Sequence, residues 1–356
     1  MLNRLVLTTG GTGGHIFPAL ALAETVRELH PECEMVFIGG DYGPERELAM
    51  RNDLPFVSLP ARGVMGRGLK SLGAVLLMAS SLFKALIFLR RFKPDAVLGF
   101  GGYAGFAPGL AASLLRIPTA IHEQNSLPGM TNRVLGKRAD RIFLSFPDEF
   151  NLFDKKKVRV FGNPVRSKIL KSAMDTEVSG SKKRLLVLGG SQGAKGINQA
   201  ITGCLPELRE QGISIWHQTG DTDYEKIKEK YEHLYPEAYV ESFIDDMARA
   251  YSFADLVFCR AGATTLAELC IAGRPSVLVP FPYATRNHQL NNARFLEKAG
   301  AAMVLKQSYL EEVNVATLIG DLFGASRKLN DMGAAAKSLA CPDAGKNILK
   351  EMEGII

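Results

Sequence analysis

Leu5-Val6-Leu7-Thr8-Thr9-Gly10-Gly11-Thr12-Gly13-Gly14-His15 stands near the start of the chain, and Leu185-Leu186-Val187-Leu188-Gly189-Gly190-Ser191-Gln192-Gly193 repeats its form in the second half. In each, a short apolar run that reads as a buried strand breaks into glycines, and a stretch of helical pattern follows. A strand, a glycine loop and a helix amino terminus together point backbone N–H groups and a positive dipole end at an anion, usually a phosphate. Two such loops predict two phosphate-handling half-molecules. Neither loop is a common nucleotide motif. The dinucleotide fingerprint G-x-G-x-x-G fits at Gly11 and Gly13 but meets Ile16 at its third position, and no Walker loop forms, because Lys195 lies between Ala194 and Gly196.

Strand-like runs and helical stretches keep alternating outward from these loops. Met35–Ile38, Phe56–Leu59, Ala96–Phe100, Pro118–Ile121, Arg141–Ser145 and Val158–Phe161 read as strands of a first half. Arg184–Leu188, Ile213–Gln218, Tyr239–Phe243, Asp255–Cys259, Ser276–Pro280 and Ala302–Leu305 read as those of a second. Helical stretches close the chain over Glu311–Phe323 and Asn347–Met352. The pattern predicts an α/β protein of two Rossmann-like, doubly wound parallel-sheet domains, at 1–163 and 164–340, with Asp175–Lys183 as a surface loop or linker. Ligands of such sheets bind at the carboxyl ends of the strands. The unusual loops are expected there: the glycine runs, His122–Asn125, Gly162–Arg166, Arg260–Glu268 and Phe281–Gln289.

A chain of 356 residues is long enough for two domains with cores of their own. Its five cysteines form no C-x-x-C pair and read as reduced thiols, with neither disulfide nor zinc implied. The apolar run at Leu5–Leu7 is too short for the core of a secretory signal. The 43 Lys and Arg exceed the 37 Asp and Glu, yet the excess is local. Arg62, Arg67, Lys70, Lys84, Arg90, Arg91 and Lys93 share residues 62–93 with no acidic residue, and the same segment carries the greasy run Leu72–Phe92. Cations flanking an apolar helix are suited to an anionic membrane surface. The segment lacks the polar and aromatic base-reading residues of a nucleic-acid site. Its length approaches a bilayer span. A spanning helix, however, would separate the strands at Phe56–Leu59 and Ala96–Phe100, so a folded crossover helix, part core and part interfacial, is expected.

Gly10–His15, His122-Glu123-Gln124-Asn125, Gly162-Asn163-Pro164-Val165-Arg166, Gly189–Gly193 and Arg260-Ala261-Gly262-Ala263-Thr264 resemble, in order and over nearly the whole length, the sequence blocks of the GT-B glycosyltransferases. Within that group they are most similar to the peptidoglycan N-acetylglucosaminyltransferases, departing only at Ala261, where many members carry Ser. The resemblance implies two domains facing a central cleft, with the terminal helix of 341–356 packing back on the first. It also implies metal-independent, inverting transfer of N-acetylglucosamine from UDP-N-acetylglucosamine to the 4-hydroxyl of an undecaprenyl-diphosphate-linked N-acetylmuramyl pentapeptide, with no cofactor. A polyprenyl-linked acceptor places the enzyme peripherally on the cytoplasmic side of the cell membrane, docked through 62–93, with cell-wall synthesis proteins as further partners. The alternatives are another GT-B enzyme, such as a diacylglycerol glycosyltransferase or a UDP-N-acetylglucosamine 2-epimerase, or a nonenzymatic module that binds UDP-sugars or anionic lipid.

For individual residues, the resemblance gives Glu268 the ribose hydroxyls of UDP, a task for an acceptor-only carboxylate. Ile244 presents backbone groups to uracil, and Gln289 a sugar-hydroxyl contact. Ser191, Gln192, Gly193 and Arg166 face the diphosphate as charge develops on the leaving group. Thr12, Gly13, Gly14, Asn125, Arg260, Ala263, Thr264, Thr265, Leu266 and Ala267 complete the donor contacts; Gly13 and Gly14 also line the acceptor diphosphate region with Gly102 and Tyr103, Asn125 touches donor or acceptor sugar, and His122 belongs to the acceptor region. His15, at the start of a helix, is suited to take the acceptor hydroxyl proton. Glu123 is the rival base. Asp221-Thr222-Asp223 has the D-x-D form of a metal-dependent class, but it opens an acidic-first helix over Asp221–Glu232, where carboxylates complement the dipole without a metal.

Overall fold

The computed structural model describes the chain except Met1, Tyr42, 61–70, 174–181, Ser191, Gln192 and the side chains of 71–75. Two compact units form: Met1–Ser167 with Cys341–Ile356, and Lys168–Ala340. The first unit contains strands β1 (Arg4–Thr8), β2 (Glu34–Gly40), β3 (Phe56–Leu59), β4 (Ala96–Gly99), β5 (Thr119–Glu123), β6 (Arg141–Leu144) and β7 (Val158–Val160). The second contains β8 (Arg184–Leu188), β9 (Ser214–Gln218), β10 (Tyr239–Glu241), β11 (Leu256–Cys259), β12 (Ser276–Leu278) and β13 (Ala302–Val304). In chain order the helices of the first half are α1 (Gly13–Leu29), α2 (Glu45–Arg51), α3 (Ser71–Phe92), α4 (Phe106–Leu114), α5 (Met130–Leu135) and α6 (Ser167–Ser172). There follow α7 (Lys195–Thr202), α8 (Leu205–Glu210), α9 (Tyr224–Leu234), α10 (Met247–Phe253), α11 (Ala263–Ala272), α12 (His288–Lys298), α13 (Val315–Gly324), α14 (Ser326–Ser338) and α15 (Ala344–Glu353).

The sheets run β3-β2-β1-β4-β5-β6-β7 and β10-β9-β8-β11-β12-β13, and every pairing is parallel. Strand order therefore reverses between β1 and β4 in one sheet and between β8 and β11 in the other. A crevice opens at the carboxyl ends of such a switch point, because the connections on either side leave in opposite directions. Both glycine runs lie there, directly after β1 and β8.

Alternation along β1 assigns the two faces of the first sheet. Leu5 and Leu7 join Ile16, Leu20, Ile348, Leu349 and Met352, so α1 and the terminal α15 cover one side. Val6 joins Val36, Ile38, Val97, Ala85, Leu89, Ala107 and Ala111, so α3 and α4 cover the other. In the second unit Leu185, Val187, Ile197, Leu208, Ile227, Phe258 and Ile319 share one core.

α3 is the crossover between β3 and β4. Ala85 and Leu89 are buried against the sheet, and Met78, Leu82 and Leu86 pack half-buried beside them. Leu76 and Phe83 stay 65% and 64% exposed, whereas Phe88 stacks on Phe92 with ring centroids 5.4 Å apart. Among the described residues, no helix is long and apolar enough to cross a membrane. Arg62, Arg67 and Lys70 lie outside the described residues.

Some boundaries differ from the sequence reading. The helix expected from Glu311 begins at Val315, where Asn314 accepts the Thr317 N–H through Oδ1 at 2.9 Å and so caps it. The acidic-first helix begins at Tyr224, not Asp221. α14 is an amphipathic helix that the sequence reading did not single out.

Candidate active site

In the first unit, two loops interlock at the switch point. A Cβ on Gly10 would sit 2.5 Å from that of Ala104, and one on Gly102, at φ +73°, would strike the Gly10 carbonyl. Only glycine permits this approach. Thr12 is the residue before α1, and its carbonyl accepts from the His15 and Ile16 N–H groups. Tyr103 lies beside Gly11, and the Gly102 carbonyl accepts from Thr131 Oγ1 at 2.9 Å. Glu45 is fully buried and takes the Gly11 N–H at 2.8 Å. The glycine loop is thus held by a carboxylate that the sequence reading missed.

His15 is half-buried, and its Nδ1 lies 2.6 Å from Gln124 Oε1. Gln124 Nε2 lies 3.0 Å from His122 Nδ1 and 3.1 Å from the His122 carbonyl, while His122 Nε2 lies 3.1 Å from the Gly162 carbonyl. His122, assigned above to the acceptor region, is fully buried and has both ring nitrogens taken up inside the unit. Burial pushes its pKa down to about 4 against the Gly162 hydrogen bond, which acts upward; the nearby His15 adds to the fall.

Glu123 is 1% exposed. Its Oε1 accepts from the N–H and Nδ2 of Asn125 at 3.0 and 3.3 Å, and its Oε2 from the Gly129 N–H and Asn132 Nδ2 at 3.0 and 2.9 Å. Both oxygens are committed to shaping the loop after β5. Arg166 falls in the first unit, its guanidinium 5.2 Å above the Phe17 ring.

The second unit repeats the scheme. Gly193 has φ +74°, and a Cβ there would strike the Thr219 carbonyl. Ser191 and Gln192, expected at the diphosphate, lie outside the described residues. Gln218, at the end of β9, donates to the Gly190 carbonyl at 2.9 Å and accepts the Ile244 N–H at 3.1 Å. It ties the glycine loop to the backbone assigned to uracil, which nothing in the local sequence signals.

Glu268 lies on the first turns of α11, is 5% exposed, and accepts from Tyr251 OH at 2.9 Å. Ala263, Thr264, Thr265, Leu266 and Ala267 form the turn before it, with Ala263 and Leu266 buried and the others half-buried. Arg260 donates to the Val279 and Pro280 carbonyls and to Gln307 Oε1 at 3.2, 3.4 and 2.7 Å, and burial lowers its pKa to about 10. Its guanidinium braces the ends of neighbouring strands. Gln289 accepts the Phe281 N–H at 2.9 Å. Asp223 is held by Asn198 Nδ2 at 3.1 Å, at the start of α9.

Two family patterns match the chain. The glycosyltransferase family 28 N-terminal domain matches residues 5–144, and the family 28 C-terminal domain matches residues 184–348. The chain belongs to glycosyltransferase family 28.

Relatives of this glycosyltransferase include the UDP-N-acetylglucosamine--N-acetylmuramyl-(pentapeptide) pyrophosphoryl-undecaprenol N-acetylglucosamine transferase of Nitratidesulfovibrio vulgaris, 51% identical, with 98% of this chain and 96% of the relative aligned. The enzyme of the same name from Coxiella burnetii is 42% identical over 98% of both. Among solved structures, Acinetobacter baumannii MurG matches at TM-score 0.76 and 32% identity over 99% of both chains. The UDP-GlcNAc 2-epimerase of Neisseria meningitidis, bound to UDP-GlcNAc, matches at TM-score 0.69 but 15% identity, over 99% of this chain and all of the other, and so shares the fold.

Proposed function

We propose that this glycosyltransferase moves N-acetylglucosamine from UDP-N-acetylglucosamine to the 4-hydroxyl of an undecaprenyl-diphosphate-linked N-acetylmuramyl pentapeptide, making the disaccharide unit of peptidoglycan. The observation that carries this reading is the 51% identity, end to end, to a transferase whose name states that reaction.

In this reading the second unit holds the donor. The N–H groups of the Gly189–Gly193 loop and the start of α7 take the diphosphate, Glu268 the ribose, the Ile244 backbone the uracil and Gln289 the sugar. The first unit holds the acceptor, with Gly13, Gly14, Gly102, Tyr103 and Asn125 around its sugar and diphosphate, and Arg166 adds positive charge. His15 accepts the hydroxyl proton as the oxygen attacks the anomeric carbon in line, inverting α to β with no covalent enzyme intermediate. Glu123 acts as the brace of its loop, because its four accepted bonds occupy both oxygens. Docking at the cytoplasmic face of the cell membrane falls to α3, where exposed Leu76 and Phe83 lie near exposed Lys84, Arg90 and Arg91.

The experiment is labelled-sugar transfer from UDP-N-acetylglucosamine to a short-chain lipid-linked muramyl pentapeptide in EDTA. Product is expected without added metal, since Asp223 is already engaged by Asn198. Product only with magnesium would make Asp221 and Asp223 metal ligands. No transfer in either condition would favour the epimerase or glycolipid readings.

A further inference from the structure

We infer that Gln124 and His122 are positioning residues that keep the proton of neutral His15 on Nδ1 and so leave Nε2 as its basic nitrogen, an inference that rests on the reading of His15 as the catalytic base.

The hydrogen-bond chain has a direction imposed at two points by backbone carbonyls, which only accept. The Gly162 carbonyl faces His122 Nε2 at 3.1 Å, so that nitrogen carries the proton. His122 is fully buried and stays neutral, which leaves its Nδ1 as an acceptor. One end of the Gln124 amide then faces two acceptors, His122 Nδ1 at 3.0 Å and the His122 carbonyl at 3.1 Å, and must be the NH2 end. An amide turned over would set its oxygen against both acceptors, leaving that oxygen of the 1%-exposed Gln124 without a donor. Its Oε1 therefore faces His15 Nδ1 at 2.6 Å and requires a proton there.

A neutral imidazole has one N–H. Among the described residues, His15 Nε2 makes no hydrogen bond. When Nε2 takes the acceptor proton, the Nδ1–H bond to Gln124 persists, so no relay group has to turn over during the step. The partner is a neutral amide, which orients the ring without adding the charge of a carboxylate.

The direct test is a histidine-ring 1H–15N correlation spectrum of the full-length, 15N-labelled enzyme above the histidine titration range, with the His15 signals assigned by their loss in His15→Ala. Nδ1 protonated and Nε2 bare is the expected result; a predominantly Nε2–H form overturns the relay, and this reading needs no relay variant to fold. In Gln124→Met, which conserves volume, kcat is expected to fall about tenfold or more at unchanged KM for UDP-N-acetylglucosamine, with His15 shifting toward Nε2–H. Wild-type kcat or an unshifted tautomer in that variant overturns the proposal. His122→Phe should lose less, because the backbone carbonyl at 122 still holds the Gln124 NH2 end; a loss equal to that of Gln124→Met counts against the two-anchor geometry. Wild-type transfer by His15→Ala would remove the base reading together with the relay. An inactive His15→Ala beside an Nε2–H wild type would remove the relay alone.

Discussion

His15 and Glu123 illustrate how partners divide the work of two titratable side chains in one loop cluster. His15 keeps one ring nitrogen outside the internal network, while Glu123 accepts four bonds from Asn125, Gly129 and Asn132. His15→Ala should lower kcat about 10²–10⁴-fold and leave UDP affinity, measured by calorimetry, near wild type. Glu123→Gln turns an NH2 group toward N–H donors. It should cost about 2 kcal/mol or more in urea unfolding, with turnover falling only as far as the loop loosens. His15 was legible in the sequence because it follows a glycine run at a helix start. Gln124 stood in a quoted block without a role: its bond to a residue 109 positions away exists only because the ends of β1 and β5 flank that of β4 in the sheet. Gln218 and Tyr251 were hidden for the same reason, since each bridges segments remote in sequence.

At the scale of the element, α3 has one buried and one exposed face, and the proposed docking falls to the second. Ala85 and Leu89 close the core over Val6 and Val97, while Leu76 and Phe83, one heptad apart, remain open beside Lys84. Substituting Leu76→Ser together with Phe83→Ser should weaken sedimentation with anionic phospholipid vesicles and leave transfer to a short-chain, water-soluble acceptor intact. Equal vesicle binding by wild type and double variant would move the docking surface elsewhere. The apolar length of the segment approached a span, but the strands read on either side of it already called for a folded crossover, and β3 and β4 do lie in one parallel sheet. Ends proved harder to read than elements. Asn314 caps α13 so that it starts four residues after the apolar pattern suggested, because a cap is a local hydrogen bond and not a matter of periodicity.

Across the whole molecule, each unit buries one neutral histidine whose cost appears as pH dependence. His122 in the first unit titrates near 4, and His217 in the second, bonded to Tyr231 OH at 2.9 Å and Asn198 Oδ1 at 3.1 Å, near 3, both through burial. The unfolded chain protonates both as pH falls below about 6.5, whereas the native chain does not until those lower values. Unfolding therefore takes up protons in that window, and stability should drop by about 1.4 kcal/mol per pH unit for each histidine. Urea unfolding at pH 7.5, 6 and 5 checks this, and His217→Gln should flatten the slope of the second unit alone. The sequence by itself determined the two α/β halves, the strands found among the described residues and the places where glycine loops meet helix starts, because short apolar runs and glycine's conformational freedom are local properties. Only the tertiary structure decided which polar group answers which: that Glu123 is spent on its own loop, that Arg260 braces strand ends, and that His122 reaches His15 through Gln124. Those choices depend on which strand ends become neighbours in a folded sheet, a relation that no stretch of chain contains.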